Sequence, residues 1–216
     1  MEKTQLDEHR SLEIIRTMIA DTSAHIDRTS GKYFLLWGYT TVLVSVFEYF
    51  AQLYLCNVQL ALWAWFLIPV VGGIGTLLLN RHSEQRPKSY VDRSISSVWS
   101  VLGFSWGLMF VAALVYGANI LFLTVVLMGM GTVITGKICQ HKVLTASGKA
   151  AIILSLIFPA HRLLMREYGT ALRDSGFEHF EAILYSEIII FALIFVVMMI
   201  IPGHILSKRA KKQHNA

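Results

Sequence analysis

KYFLLWGYTTVLVSVFEYFAQLYL, residues Lys32 to Leu55, decides the fold. It is the first apolar run long enough to cross a bilayer, which takes about 20 residues at about 1.5 Å of rise each. A polar arm precedes it, and further runs of the same kind follow. It also carries Glu48, an acid where lipid alone would not tolerate one.

The composition around this stretch agrees with it. Of 216 residues, 55% are hydrophobic and only 15% charged, whereas soluble domains carry about 25% charged residues. The mean hydropathy is +0.55. So few charges mean that most of the chain must hide from water, in lipid or against itself. The expected organisation is an arm over 1–31, one membrane domain over 32–207 and a basic tail over 208–216. The net charge of +5 would raise nucleic acid as a partner in a soluble protein. Here no basic stripe interleaved with aromatics occurs, and membrane proteins gather Lys and Arg on the cytoplasmic side. The bilayer is therefore the expected partner and nucleic acid is not. Residues 1–30 contain no apolar segment of the kind a cleaved signal has, so the first span is expected to direct insertion.

Further spans are expected near 58–80, 94–117, 119–139, 144–164 and 184–205, after a first at 33–55. Pro159 should kink the fifth, and a re-entrant segment is the alternative there. With both termini in the cytoplasm, sixteen of the nineteen Lys and Arg residues fall inside. Only Arg162, Arg166 and Arg173 fall outside. That asymmetry points to a cytoplasmic (inner) membrane protein with both ends inside. Cys56 and Cys139 then lie on opposite sides of the membrane, and no internal disulfide is expected. The links Cys56-Asn57 and Gly117-Ala118 are short enough to pair spans one with two and three with four as hairpins. A weak internal repeat, Gly73-Ile74-Gly75-Thr76 and Gly129-Met130-Gly131-Thr132, supports three hairpins on one plan. The expected fold is thus an all-α membrane protein of six transmembrane helices preceded by a cytoplasmic amphipathic helix.

That arm helix follows from Leu12, Ile15, Ile19 and Ile26, spaced to draw one apolar stripe. The arm holds six acids against four Lys and Arg residues, whereas helices that bind anionic lipid are rich in base. Docking on a partner helix or on the chain's own basic loops is expected. The plainer alternative is an elbow that sets the entry angle of span one.

Inside the membrane, Gly103 and Gly107 form a GxxxG in span three. Gly72 with Thr76 and Gly131 with Thr135 extend the small-xxx-small device. Packing within the bundle is the expected use, with homodimerisation through span three as the alternative. Glu48, His161, Arg162 and Glu187 should share the outer leaflet and form a polar cluster. It reads either as a structural Glu48–Arg162 pair or as a proton, cation or ligand path. Tyr49, Tyr54, Trp63 and Trp65 at the outer side, with Tyr33 and Trp37 at the inner side, read as interfacial belts. The outer 165–183 segment should hold a short surface helix through Tyr168, Leu172, Phe177 and Phe180. Glu178, His179 and Glu181 in it match no metal spacing, and no catalytic or nucleotide-binding motif occurs, so no cofactor is expected.

SLEIIRTMI at 11–19, YFLLWGY at 33–39 and IIPGHILSKR at 200–209 resemble a family of small bacterial integral membrane proteins without an assigned function. The resemblance implies architecture alone. The span count and outer segment are also similar to the permease subunits of some ATP-driven exporters. The AxxxA that marks the first span of vitamin-importer binding subunits is absent. The expected role is therefore a non-enzymatic accessory or regulatory subunit that meets a protein partner or a second copy, with a transporter component as the alternative.

Overall fold

The computed structural model describes residues 30–54, 63–82, 90–116, 119–176 and 180–214. Among these residues there are helices with their caps and turns, and no strand. Six helices are long and apolar enough to cross a membrane: Ser30–Tyr54, Trp63–Arg81, Tyr90–Ala113, Ile120–Ile138, Lys142–Asp174 and Ala182–Lys211. They are spans one to six below. The all-α, six-span architecture read from the sequence is the architecture of the protein. The arm, with Leu12, Ile15, Ile19 and Ile26, lies outside the described residues.

A bilayer interior offers no water to bond the backbone, so each span must satisfy itself as a helix. Hydroxyls inside the spans follow the same rule. Thr40 donates to Leu36 O at 2.8 Å, Ser45 to Thr41 O at 2.7 Å and Thr132 to Met128 O at 2.9 Å. Each spends its proton one turn back and needs no other acceptor.

Of the three proline-bearing spans, span two carries Pro69 in the first turn of its helix, where proline is tolerated; spans five and six depart from regularity near theirs. Span five is a helix over Lys142–Leu154, a turn at Ser155 and Leu156, and a second helix over Ile157–Asp174. Pro159 has no N–H for the carbonyl of Ser155 four residues back. Phe158 N donates to that oxygen instead, at 3.1 Å. The backbone of Ser155 and Leu156 stays near helical values, so one helix runs through the turn into the next, and Lys142–Asp174 is long and apolar enough to cross as one span. Its 33 residues measure about 50 Å, well beyond the hydrocarbon thickness of about 30 Å. Most of the expected outer loop is thus a continuation of span five. It ends at Ser175 with Gly176 at φ +67°, a left-handed turn that glycine adopts without strain. Phe177, Glu178 and His179 lie outside the described residues.

Span six loosens into a π-helical turn over Val196–Ile200, closed by Ile201 N donating to Val196 O. Pro202 follows within Ile201–His214. Its missing N–H takes one donor from Met198 O; the Ser147 hydroxyl of span five stands 3.4 Å from that oxygen and 3.1 Å from Leu144 O of its own helix, which share its one proton.

The core lies among spans one, four, five and six, where Phe34, Val125, Leu144, Phe158, Phe191, Phe195 and Met198 are buried. Backbones meet closely there. A Cβ on Gly148 would stand 2.8 Å from both Gly129 O and Val133 N of span four, and one on Gly38 would stand 2.9 Å from Ile200 Cγ1 of span six. Along span one, Gly31, Phe34, Gly38, Thr41, Ser45 and Glu48 are all buried. Their spacing alternates three and four, the seam of a helix that packs along its length against others. Gly31 and Gly38 set this seam against span six. Spans two and three are different, with 11% and 6% of their apolar windows buried, against 44% in span one and 50% in span six.

Candidate functional site

The polar groups of the membrane domain gather in three places. The first is a pair of matching clasps. Trp37 of span one donates its indole N–H to Thr76 Oγ1 of span two at 3.2 Å. Trp99 of span three donates to Thr135 Oγ1 of span four at 3.1 Å. In both cases the glycine one turn before the threonine lies against the ring: a Cβ would come within 2.7 Å of Trp37 at Gly72, and within 3.3 Å of Trp99 at Gly131. Glycine makes room for the indole and threonine takes its proton, which would otherwise be unpaired in lipid. Gly72, Thr76, Gly131 and Thr135 therefore pack the two hairpins, and the repeat runs through Gly-x3-Thr rather than through the Gly-x-Gly-Thr register. Trp37 is a packing residue rather than part of a surface belt. Trp106 repeats the chemistry further along span three, donating to Thr124 at 2.9 Å.

The second place is the far end of the bundle, where spans four, five and six meet. His161 Nδ1 lies 2.9 Å from Glu187 Oε1, and Asn119 Nδ2 donates to Glu187 Oε2 at 3.0 Å. Asn119 Oδ1 also accepts from Phe122 N at 3.1 Å, capping span four. His161 Nε2 faces Ile183 O and Ser186 Oγ, both at 3.1 Å. Ser186 Oγ in turn donates to Ile183 O at 2.7 Å. Both oxygens of Glu187 are used, and both ring nitrogens of His161 have oxygen neighbours. With exposures of 13% and 19%, the pair is sheltered without being sealed. The arrangement works as a lock between three spans.

Glu48 forms the third place by itself. The expected cluster is therefore divided: His161 and Glu187 meet, whereas Glu48 meets neither and Arg162 is exposed. Depth along the membrane was readable from residue number, but the direction each side chain faces around its helix was not. Glu48 is fully buried. Gln52, one turn on, donates to Glu48 Oε1 at 2.9 Å. Trp65 of span two turns its indole towards the same carboxyl and packs edge-on against Phe191 at 5.7 Å, so it belongs to the interior and not to a belt. Among the described residues, Glu48 Oε2 and Gln52 Oε1 have no hydrogen-bond partner. Two bare acceptors in one dry place form an electrostatic deficit that a donor or a small cation would fill.

Gly103 and Gly107 behave unlike the other small residues. Nothing among the described residues lies within 4 Å of a Cβ built on either. The GxxxG does not pack inside the bundle; it faces outward. No group of three or more His, Cys, Asp and Glu side chains that could hold a metal ion occurs among the described residues.

Asn119, Ser186, Gln52 and Trp99 were not singled out from the sequence, and Trp37 was read there as part of a belt. Gln52 had a local signal, four residues after an intramembrane acid. The tryptophans had one only in combination with the repeated Gly-x3-Thr, because their partners lie 39 and 36 residues away. No protein-family model matches this chain, and neither does any curated protein or solved structure.

Proposed function

We propose that this chain is a non-enzymatic subunit of a membrane assembly, an accessory or regulatory component that acts through contact within the bilayer. One observation carries the reading: only 11% and 6% of the apolar windows of spans two and three are buried, whereas a third to a half of the window is buried in each of the other four. A bundle built only for its own stability would distribute contact more evenly. The polar groups support the same view. The clasp indoles and Glu187 have their bonding capacity taken up by neighbouring spans, which leaves them little for a substrate. The resemblance to small bacterial integral membrane proteins and the inner-membrane location with both termini cytoplasmic belong to this proposal. Arg81, Arg93, Lys137, Lys142 and Lys208 all stand near the end of the bundle where spans one, three and five begin, in keeping with that orientation.

A transporter component is the second reading, and Glu48 favours it, since a buried acid with a bare oxygen is where an ion path would pass. Proteoliposomes containing the chain alone separate the two. The accessory reading expects proton and sodium leak no higher than in empty vesicles, for the native chain and for Glu48→Gln alike. It also expects a complex larger than the chain when native membranes are extracted into lipid nanodiscs and weighed. A flux that disappears with Glu48→Gln would replace it with transport.

A further inference from the structure

The bare oxygens at Glu48 belong to two groups that already touch. Gln52 Nε2 donates to Glu48 Oε1 at 2.9 Å. The two atoms left without a partner among the described residues are the other oxygen of that carboxyl and the oxygen of that same amide. A carboxylic acid and a primary amide can close a ring of two hydrogen bonds, with the amide N–H on one acid oxygen and the acid O–H on the amide oxygen. Here the first bond stands and the second lacks only its hydrogen. An ionised Glu48 accepts and cannot supply it.

The surroundings give an ionised carboxyl no counter-charge. Glu48 is fully buried, where an unpaired charge is costly. The groups turned to it are neutral: Gln52 from its own helix and the Trp65 indole from span two. Charged groups on the spans packed against span one lie elsewhere. Arg81 stands at the opposite end of span two from Trp65. On span six, Gly38 meeting Ile200 brings Glu48 level with Ile190 in the antiparallel pair. Glu187, the next titratable group beyond that level, is itself an acid and is held by His161 and Asn119. His204 bonds Tyr39 nearer the other end, and Lys208, Arg209 and Lys211 follow it.

We infer that Glu48 binds a proton and keeps it as the neutral acid, its Oε2–H donating to Gln52 Oε1. One hydrogen then satisfies both bare oxygens and removes the buried charge. A metal ion fits the place less well. Hard cations take about six oxygens or more, whereas two are bare here and the N–H groups of Gln52 and Trp65 are turned to the same carboxyl. The proton is taken from water as the chain folds. Once held, it ties the first hairpin at its far end, as the Trp37–Thr76 clasp ties it nearer the start. The inference goes beyond the accessory reading and does not depend on it.

The test reads the carbonyl stretch of a protonated carboxyl by infrared spectroscopy, on the full-length chain in lipid nanodiscs. It is made at about pH 7, where an ordinary glutamate with a pKa of about 4.3 is ionised. The native chain should show the band, shifted in heavy water. Glu48→Gln should lose it, and Gln52→Leu should move it to higher frequency, because the acid keeps its proton and loses its amide. Unfolding in micelles gives a second readout. The folded chain holds a proton that the unfolded chain has given up above about pH 4.3, so native stability is lost as pH rises. Glu48→Gln carries its own donor and takes up no proton, and groups common to both chains cancel. The ratio of the two folding equilibrium constants should therefore move about tenfold per pH unit between about pH 5 and about pH 7, towards the native chain as pH falls. A native chain with no protonated carboxyl at about pH 7 would overturn the inference. So would a band that survives Glu48→Gln, stays in place in Gln52→Leu or vanishes on adding sodium, or a stability ratio that ignores pH. If Glu48→Gln does not fold, the native band and its movement in Gln52→Leu decide.

Discussion

Gly148→Ala gives a sharp test of how this bundle is held together. The new methyl would sit 2.8 Å from Gly129 O, Val133 N and Val133 Cγ2. Real Cβ atoms do not come within 3.0 Å of a neighbour, so all three atoms are overlapped. Two of the three belong to backbone and cannot swing aside. Spans four and five must separate along their length or rotate. Overpacking of this kind costs about 1–3 kcal/mol, and the upper part of the range applies because the obstruction is main chain. Gly103→Ala is the matched control. It adds the same methyl to a helix in the same membrane, with nothing among the described residues within 4 Å. It should be neutral, or stabilising by up to about 1 kcal/mol through helix propensity. Equilibrium unfolding in mixed micelles, titrated with sodium dodecyl sulfate and followed by circular dichroism, measures both in dimer-free conditions. Equal effects for the two variants, or a larger loss at Gly103, would refute the packing described for spans four and five.

Four other outcomes follow from the same geometry. A double-mutant cycle with Trp99→Phe and Thr135→Val should give a coupling of about 0.5–1.5 kcal/mol, with a similar value for Trp37→Phe and Thr76→Val, by the same unfolding assay. Glu187→Ala should cost about 2–4 kcal/mol, because it strands both His161 and Asn119, and Glu187→Gln should cost less because it keeps an acceptor and a donor. Glu48→Gln should raise stability by about 1 kcal/mol, since its amide replaces the bare Oε2 with a donor beside the bare Gln52 Oε1, and Glu48→Leu should not. Pro159→Ala should slow hydrogen exchange at residues 155–160, measured by mass spectrometry in micelles, because it restores a donor to Ser155 O.

The six spans were legible because length and apolarity are local properties, and a bilayer leaves the backbone no alternative to helix. The bend in span five was legible for a similar reason, since the effect of Pro159 falls within one turn. Pairings between spans were less so. Gly72, Thr76, Gly131 and Thr135 stood out as small residues, but nothing local says that an indole from the preceding span would enter each gap. For Gly103 and Gly107 the local pattern is the same and the use differs, because what decides it is whether a neighbour stands opposite. The grouping of Glu48 with His161, Arg162 and Glu187 rested on depth. Depth brought His161 and Glu187 together; azimuth kept Glu48 apart. The π turn over Val196–Ile200 lies just before Pro202 in a run of apolar residues that reads like any other stretch of helix.

The indole-to-threonine clasps also bear on how the chain enters the membrane. Each bond closes within a single hairpin, 39 or 36 residues apart. The first tryptophan therefore finds its acceptor as soon as span two is inserted, and the second as soon as span four is. Neither N–H has to wait in lipid for a distant partner during synthesis. The Asn119–Glu187 bond joins residues 68 apart and can form only once span six has arrived. Assembly thus has an order written into its polar bonds: two hairpins that can leave the insertion machinery already self-satisfied, then a closing step in which the last helix docks on spans four and five. Late contacts of high sequence separation are the slow ones. A defect at Glu187 should therefore appear first as a chain that inserts normally and is degraded before it closes.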